Sequence, residues 1–358
     1  MVSLVFLAGG AVEQTSQGKT RSGREHATPA ALVEALPAGE SDASAPVFLF
    51  VKGAGILRMQ DGEVSSVLPT QSAVRDLELD PEGALWASLS EVGVVRHSGG
   101  KTVNLGKESF AKLAIRSATD VWAISDGQGS VVHYDGTRWK TVRTRKSFAG
   151  FFDDNRLIDI ASDARSVWVT GWNGLWRVTA KRWTHVEPPP PLSSGAAPEE
   201  DGPVPPVYPL SLTASPHELL ACYLAGCFRS TEAGWQVSNW PAGRARLQSA
   251  GRAGLAVGTG ADGTTIVITR LDGSGQPVSS EPLTASGIND VSIDEAGRVW
   301  VACNDSLAVL DASGRAIQRW PTGALDGVNG EVHRVVVVGA GPKQLPAAQT
   351  RPHAWRGE

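Results

Sequence analysis

Two stretches of this chain share one pattern. Residues 74–86 read VRDLELDPEGALW, and residues 288–300 read INDVSIDEAGRVW. In each stretch, alternating apolar and polar residues predict a strand. The Asp and Gly that follow predict a turn, because Asp bonds the backbone ahead of it and Gly accepts a positive φ. A second strand then carries Trp86 or Trp300, so the unit is a strand, a tight turn and a tryptophan-bearing strand.

The tryptophan position recurs along the chain at intervals of about 42 residues on average, close to the roughly 40–45 residues of a four-stranded, WD40-like propeller blade. Its seven occupants are Phe48, Trp86, Trp122, Trp168, Leu220, Ala256 and Trp300. A third strand follows with a Gly-x-x-Arg pattern that ends on Arg58, Arg96, Arg177 and Arg229. The fourth strand is predicted to open on an aromatic residue, at Trp139, Trp183, Trp235 and Trp320.

The two ends of this array complement each other. The first unit, from Val47, lacks a first strand, whereas residues 332–338 resemble a first strand without successors. Joining them predicts an all-β, seven-bladed propeller with four-stranded antiparallel blades, closed by a C-terminal strand that pairs with the N-terminal blade.

The predicted propeller covers residues 46–341. Residues 1–45 are expected to form a flexible leader or linker, and residues 342–358 a tail. Within the propeller, residues 187–208 are rich in proline and acids and poor in apolar side chains, so we expect a mobile insertion rather than a domain.

The segment from Asp80 to Trp86, followed by Gly93-Val94-Val95, resembles the bacterial two-component-regulator propeller repeat. Residues 167–175, VWVTGWNGL, are similar to the same repeat. NHL-type and virginiamycin-lyase-like propellers are more distantly similar. The resemblance covers about residues 46–341 and implies a sensory or binding module, often outside the cytoplasmic membrane beside a kinase. Its motifs specify a blade rather than an activity.

The composition of the chain limits the classes of partner that it is expected to bind. The chain has 33 Lys and Arg against 37 Asp and Glu, a formal net charge of −4, which provides no electrostatic footprint for nucleic acid. No apolar run approaches the roughly 18 residues of a membrane-spanning helix, so no membrane span is predicted. The remaining partners are an unidentified protein or a small-molecule ligand. No clear signal peptide is present.

No catalytic residue, metal site or cofactor is predicted. The G-x-G-x-x-G of residues 258–263 precedes TTIVIT, a strand rather than the helix that a dinucleotide site needs. The seven histidines include no pair at the i, i+4 spacing of a helical zinc motif. The strand-two tryptophans are expected to pack in the core or to stack a ligand. The strand-three arginines are expected to bridge blade edges or reach solvent, or to line an anionic site. Turn roles are expected for Asp61, Asp80, Asp135, Asp294 and Asp311.

The connections between blades predict a binding face. The long crossings from a fourth strand to the next blade, at residues 143–156, 187–208 and 321–330, should project from one face together with the turns between strands two and three. The candidate binding residues on this face are Lys146, Phe148, Phe151, Phe152, Asp153, Asp154, Arg156, Trp172 and Asn173. The alternative is that the phenylalanines plug the channel mouth.

Two function classes remain. The first is a non-catalytic binding or scaffold propeller, of a sensory kind, that uses this face. The second is a propeller enzyme, a lyase or hydrolase, with a metal or acid/base site at the central channel. Carboxylates or histidines from three or more blades meeting at one channel mouth would favour the enzyme.

Cys222 and Cys227 flank a predicted hairpin turn and form a candidate disulfide. A disulfide there would favour an oxidising compartment, periplasmic or extracellular, with a cytoplasmic location left open.

Overall fold

The computed structural model describes residues 45–144, 156–163, 166–172, 174–179, 182–187, 189, 209–214, 219–223, 226–231, 234–238, 245–250, 255–260, 263–270, 277–280, 282–283, 287–294, 296–325 and 330–337. These residues form seven antiparallel sheets of four strands each. The predicted leader, the tail and almost all of the proline-rich insertion lie outside the described residues.

In chain order the first fifteen strands are β1 (Val47–Val51), β2 (Gly55–Gln60), β3 (Glu63–Leu68), β4 (Val74–Leu79), β5 (Leu85–Leu89), β6 (Gly93–Ser98), β7 (Lys101–Gly106), β8 (Phe110–Ser117), β9 (Asp120–Ser125), β10 (Ser130–Tyr134), β11 (Trp139–Thr144), β12 (Leu157–Ser162), β13 (Val167–Gly171), β14 (Gly174–Thr179) and β15 (Arg182–Val186). The others are β16 (Ser211–Ala214), β17 (Leu219–Tyr223), β18 (Gly226–Thr231), β19 (Gly234–Val237), β20 (Ala245–Ala250), β21 (Leu255–Gly260), β22 (Ile266–Arg270), β23 (Val278–Ser279), β24 (Ile288–Ile293), β25 (Val299–Cys303), β26 (Ser306–Leu310), β27 (Ala316–Pro321) and β28 (Val332–Val337). A 3-10 turn spans Thr322–Ala324.

Blade 1 has the strand order β28-β1-β2-β3, and blades 2 to 7 are β4–β7, β8–β11, β12–β15, β16–β19, β20–β23 and β24–β27. The first strand of each sheet contacts the first strands of its two neighbours, and β28 contacts both β24 and β4. The inner strands therefore form a complete ring. The predicted seven-bladed, all-β propeller is confirmed.

The ring closes through β28, as predicted. Its residues pair with β1 in antiparallel register, from Val47 opposite Val337 to Val51 opposite Val332. Val338, the last residue of the predicted closing strand, lies outside the described part of the chain. Beside the pair, Lys52 N donates to Glu331 O at 3.0 Å. Blade 1 thus takes its inner strand from one end of the repeat array and its other three strands from the opposite end.

Burial follows strand order within a blade. The second strands β1, β5, β13 and β25 are buried at every residue, because they have a strand on each side and a blade on each face. The fourth strands are largely exposed, as in β15 and β27. The core consists of clusters between successive blades, such as the one that joins blade 1 to blade 7.

Asp80, which is 1% exposed, fixes the turn between the first two strands of blade 2. Its Oδ1 accepts hydrogen bonds from the backbone N of Glu82 and Ala84 at 3.0 and 2.8 Å. Its Oδ2 accepts from Trp86 Nε1 at 3.1 Å and from Nε and Nη2 of Arg96 at 3.1 and 2.9 Å. One buried carboxylate therefore holds the turn, the second strand and the third strand together.

Blade 7 repeats this arrangement. Asp294 Oδ2 accepts hydrogen bonds from Trp300 Nε1 at 3.1 Å and from Arg298 Nε at 2.6 Å. Gly83 and Gly297, the turn glycines of the two blades, have φ of 83° and 80°. The expected turn role of both aspartates is confirmed, and the positive φ explains why glycine follows them.

The strand-two tryptophans pack in the core, as one interpretation predicted. Trp86, Trp168 and Trp300 are 0%, 8% and 5% exposed. The guanidinium carbons of Arg96 and Arg177 lie 5.9 and 5.1 Å from the ring centroids of Trp86 and Trp168. These two arginines therefore stack on the tryptophan of their own blade, which differs from the expected bridging between blade edges.

One predicted position is wrong. Trp139 and Trp183 are the first residue of β11 and the second of β15, but Trp320 is the fifth residue of β27, opposite Leu307. The residue that opens β27 is Ala316. Spacing along the sequence locates the fourth strand only approximately. The register of that strand decides which residue opens it and which side of the blade each residue faces.

We expect Asp80→Asn to lower the free energy of unfolding by about 3–5 kcal/mol, because the amide places a donor against Trp86 and Arg96 and leaves Arg96 with the exposed Glu82 as its charge partner. Denaturant unfolding measures the loss. Asp135→Asn is the matched control, because Asp135 makes similar turn bonds to Thr137 and Arg138 at a half-buried position. An equal loss in the two variants would contradict the anchoring role of Asp80.

Candidate functional site

Six of the inner strands bring one residue each to the same level of the central channel, near the face that carries the crossings between blades. In five of these six strands this residue directly follows a β-bulge, which re-aims side chains. We call these six residues the channel ring: Asp76, Lys112, Asp159, Ser211, Asp290 and Arg334. From blade 7 through blade 1 to blade 4, acidic and basic residues alternate.

The three aspartates of the channel ring are tied to the next blade. Each accepts, through Oδ2, a hydrogen bond from a backbone N of the following inner strand. The bonds run from Leu113 to Asp76 at 2.7 Å, from Leu212 to Asp159 at 2.8 Å and from Val335 to Asp290 at 3.1 Å. Three of the seven junctions between inner strands are therefore held by a carboxylate rather than by packing alone.

The two bases of the channel ring lie beside aspartates of the preceding blade. Lys112 Nζ is 4.0 Å from Asp76 Oδ1, and Arg334 Nη1 is 3.8 Å from Asp290 Oδ1. The charge of Asp76 raises the pKa of Lys112 above its usual range. Burial raises the pKa of Asp159 and of Asp290, opposed by Lys112 and Arg334 respectively. Asp159 has no base on the following strand, where the ring position is Ser211, so the ring has one more acid than base.

Glu78 adds a further carboxyl group to the channel. It lies two residues beyond Asp76 on β4, about 7 Å along the strand. Burial, followed by the charge of Asp76, raises the pKa of Glu78 to about 8. Lys112 and Arg334 act in the opposite direction, and Asp290 adds to the rise. A carboxyl group with such a pKa can hold or release a proton near neutral pH.

Carboxylates from blades 2, 4 and 7 thus meet at one level of the channel, the arrangement that was expected to favour the enzyme alternative. They are spaced by bases and held by backbone donors. Within the described ranges, no group of three or more His, Cys, Asp or Glu side chains is placed to hold a metal ion. The ring can bind charged groups, and Glu78 can exchange a proton.

Arg156 and Trp172 belong to the predicted binding face, and the structure brings them together. The backbone N of Trp172 donates to Arg156 O at 3.1 Å, and the Arg156 side chain bonds Gln128 in the turn between β9 and β10. Trp172 is 41% exposed. A crossing and two strand-two-to-three turns therefore share one face, the one on which the inner strands begin. The other candidates, Lys146, Phe148, Phe151, Phe152, Asp153, Asp154 and Asn173, lie outside the described residues.

Cys222 and Cys227 lie directly opposite each other in the pairing of β17 with β18, and a disulfide joins them. Backbone bonds tie this hairpin end to both flanking segments, from Leu210 N to Cys222 O and from Ser238 N to Cys227 O. Cys303 is a buried free thiol.

The sequence reasoning missed the channel ring and Glu78. A signal was present, because Asp76 and Asp290 occupy the same place in the two stretches that define the repeat. Their significance depends on the bulge before them and on the neighbouring blade. Neither is visible within a single repeat.

No protein-family model and no curated protein sequence matches this chain. Solved structures are similar in fold. AztD from Citrobacter koseri is 15% identical, with a TM-score of 0.56 over 83% of this chain and 98% of that one. A streptogramin B lyase is 12% identical, with a TM-score of 0.54 over 78% and 89%. The extracellular domain of BT4673 from B. thetaiotaomicron is 14% identical, with a TM-score of 0.50 over 71% of this chain and 34% of that one.

At these identities the similarity extends to the fold alone, which agrees with the resemblance to propeller repeats. No helix in the described part of the chain has the length and apolar character needed to cross a membrane.

Glu78→Gln should stabilise the protein more at pH 9 than at pH 5. Native Glu78 keeps its proton up to about pH 8, whereas the unfolded chain releases it near pH 4.5, so the wild type loses stability as pH rises between these values. One pKa unit corresponds to about 1.4 kcal/mol, so the gain should be on the order of a few kcal/mol. Denaturant unfolding at both pH values measures it.

Glu63→Gln, at an exposed position of β3, is the control and should show no such pH dependence. A gain for Glu78→Gln that is equal at pH 5 and pH 9 would contradict burial of this carboxyl group in the channel.

Proposed function

We propose that this chain is a non-catalytic binding or scaffold propeller, of a sensory or ligand-recognition kind. Its recognition surface is the face that carries the crossings between blades and the mouth of the charged channel. The observation that carries the proposal is Trp172, a tryptophan 41% exposed on a turn that Arg156 holds by a backbone hydrogen bond.

An exposed tryptophan beside an arginine is typical of a recognition surface, because these two residue types dominate binding hot spots. The turn that carries Trp172 lies on a rigid ring, so little ordering is needed when a partner binds. Close by, Arg75 pairs with Asp126 at 3.4 Å, which adds both charge signs to the same face. The partner is a protein or a small molecule that presents apolar surface and charge together.

The solved propellers of similar fold are compatible with this proposal. BT4673, whose extracellular domain is one of them, is assigned to a one component system, which is a sensory role. A lyase has the same fold, so the fold alone does not choose between binding and catalysis.

A second candidate, a propeller enzyme with an acid/base site in the channel, is supported by the carboxylates of blades 2, 4 and 7 that meet in the channel and by Glu78. Glu78, with a pKa of about 8 beside Lys112 and Asp76, has the properties of a general acid or base. For a substrate that binds in the channel, turnover lost in Glu78→Gln with binding retained would favour this candidate.

We further propose a periplasmic or extracellular location, supported by the Cys222–Cys227 disulfide, because such bonds persist in oxidising compartments. Protein from its native host, denatured and alkylated without reduction, should carry a single alkylated cysteine, Cys303. Intact mass spectrometry measures the number of alkyl groups. Three alkylated cysteines would contradict both the bond and the proposed location.

The triple variant Phe151→Ala, Phe152→Ala and Trp172→Ala should weaken capture of partners from the native host at least tenfold, because it removes the aromatic anchors of the proposed face. Pull-down with quantitative mass spectrometry measures capture. Val237→Ala is the control, because Val237 is 63% exposed on the outer strand β19. Retained capture together with a collapsed melting temperature would mean that these aromatic residues belong to the core.

A further inference from the structure

The interface between blades 6 and 7 contains a groove of about 610 Å³. Such a volume suits a small-molecule site. It lies between the end of blade 6 and blade 7. Among its lining residues are Ser279 of blade 6 and Cys303, Ser306, Ala308, Ala316 and Arg319 of blade 7.

The strand registers show which type of residue other blades have at the fourth-strand position that faces the preceding blade. In blade 3, Trp122 pairs with His133, and the next residue, Tyr134, pairs with Trp139. The same route, across to the third strand, one residue along it and across to the fourth strand, connects Trp168 with Trp183 in blade 4 and Leu220 with Trp235 in blade 5. In blade 7, Trp300 pairs with Val309, and the next residue, Leu310, pairs with Ala316. Ala316 thus occupies the position of a tryptophan.

Each of these fourth-strand tryptophans packs against the preceding blade. The blade 2–3 cluster contains Trp86 and Trp139, and the blade 4–5 cluster contains Trp168 and Trp235. Trp122 and Trp183 pack together in the same way between blades 3 and 4. At the blade 6–7 interface the fourth-strand position is Ala316. A bulky side chain is therefore replaced by alanine at the interface where the groove occurs.

The filled interfaces also show how an indole is held. Trp139 Nε1 donates to Leu105 O at 3.1 Å, and Trp235 Nε1 donates to Glu187 O at 3.0 Å. Both acceptors are backbone carbonyls at the end of the preceding blade. The ring of Trp139 covers Gly106, where an added Cβ would lie 3.0 Å from its Cδ1.

Ser279, at the end of blade 6, lines one wall of the groove. On the opposite wall, Cys303 and Ala308 are small and buried, at 0% and 3% exposure.

The charged residues that line the groove are Arg315 and Arg319, and no carboxylate is among its described lining residues. Arg319 is held by Ser306 and Asp305, with Nε 3.0 Å from Ser306 Oγ. Arg315 adjoins Ala316 in the chain, lines the groove and interacts with the carboxylate of Asp311. The positive charges of the two arginines at the groove favour a ring that bears a carboxylate over one that bears an ammonium group.

We propose that the groove between blades 6 and 7 is a binding site for an aromatic carboxylate of indole size, whose ring takes the place of the absent tryptophan. The ring packs on Ala308 and Ala316, its N–H donates to a backbone carbonyl at the end of blade 6, and its carboxylate faces Arg315. The site does not depend on the proposed function.

The test is titration of the full-length protein with indole-3-acetate, followed by calorimetry and ligand-observed NMR. Tryptamine, which has the same ring with an ammonium group, is the matched probe. We expect indole-3-acetate to bind more tightly than tryptamine. Ala316→Trp should weaken binding at least tenfold, because the chain then fills its own groove. Thr102→Trp, the equivalent position in blade 2, should leave binding unchanged.

Arg315→Gln is an exposed change that tests the site even if Ala316→Trp does not fold. It should weaken indole-3-acetate by about two- to fivefold, the range of an exposed ion pair, and leave tryptamine unaffected or tighter. Equal affinity of wild type and Ala316→Trp would overturn the proposal. Binding of tryptamine at least as tight as that of indole-3-acetate, or no binding of indole-3-acetate, would overturn it as well.

Discussion

The pairing of β28 with β1 is the interaction on which the rest of the structure depends. Until it forms, blade 1 has no inner strand, and blades 7 and 2 each have an uncovered face. Once formed, it places Val335 and Val337 in the cluster shared with blade 7 and Val336 in the cluster shared with blade 2. The backbone bonds between the two strands therefore complete two interfaces at once. The entropic cost of bringing such distant segments together rises only slowly with their separation.

Within this ring, aspartates anchor single blades and also link some blades to the next. The anchor is seen most fully in blade 2, where Asp80 joins a turn, Trp86 and Arg96. The link is the carboxylate of the channel ring, which bonds the next inner strand at three junctions. All of these carboxylates accept backbone hydrogen bonds, and a charge removed from water is tolerated when it is hydrogen-bonded and paired. The channel combines this structural use with an unbalanced charge, since its three aspartates outnumber its two bases.

Most of the fold could be predicted from the sequence because a propeller is built from local signals. The Asp–Gly turn, the tryptophan position and the alternation in the first strand all lie within about 15 residues of one another, as in 74–86. The absence of a first strand from blade 1 could be predicted by counting the strands in each repeat. What failed was register: Trp320 was assigned to the start of its strand although it lies near the end.

The candidate site was less predictable, for a physical reason. The exposed Trp172 and its neighbour Arg156 could be identified from loop lengths. The channel ring could not, because Asp76 acquires its partner Lys112 only when two separate blades are placed side by side. The groove between blades 6 and 7 is even harder to predict from the sequence. It lies beside Ala316, whose significance depends on the tryptophans at the equivalent position of blades 3, 4 and 5.

The register that joins Val47 to Val337 has one more consequence. These residues are neighbours in the same sheet, so the ring has no structural first blade. A short peptide could connect them, and new chain ends could be opened at the exposed turn Gly99–Gly100 between β6 and β7. Such a circular permutant would keep every strand pairing while moving the discontinuity out of blade 1. The order in which the blades are translated could therefore change while the architecture of the propeller stays the same.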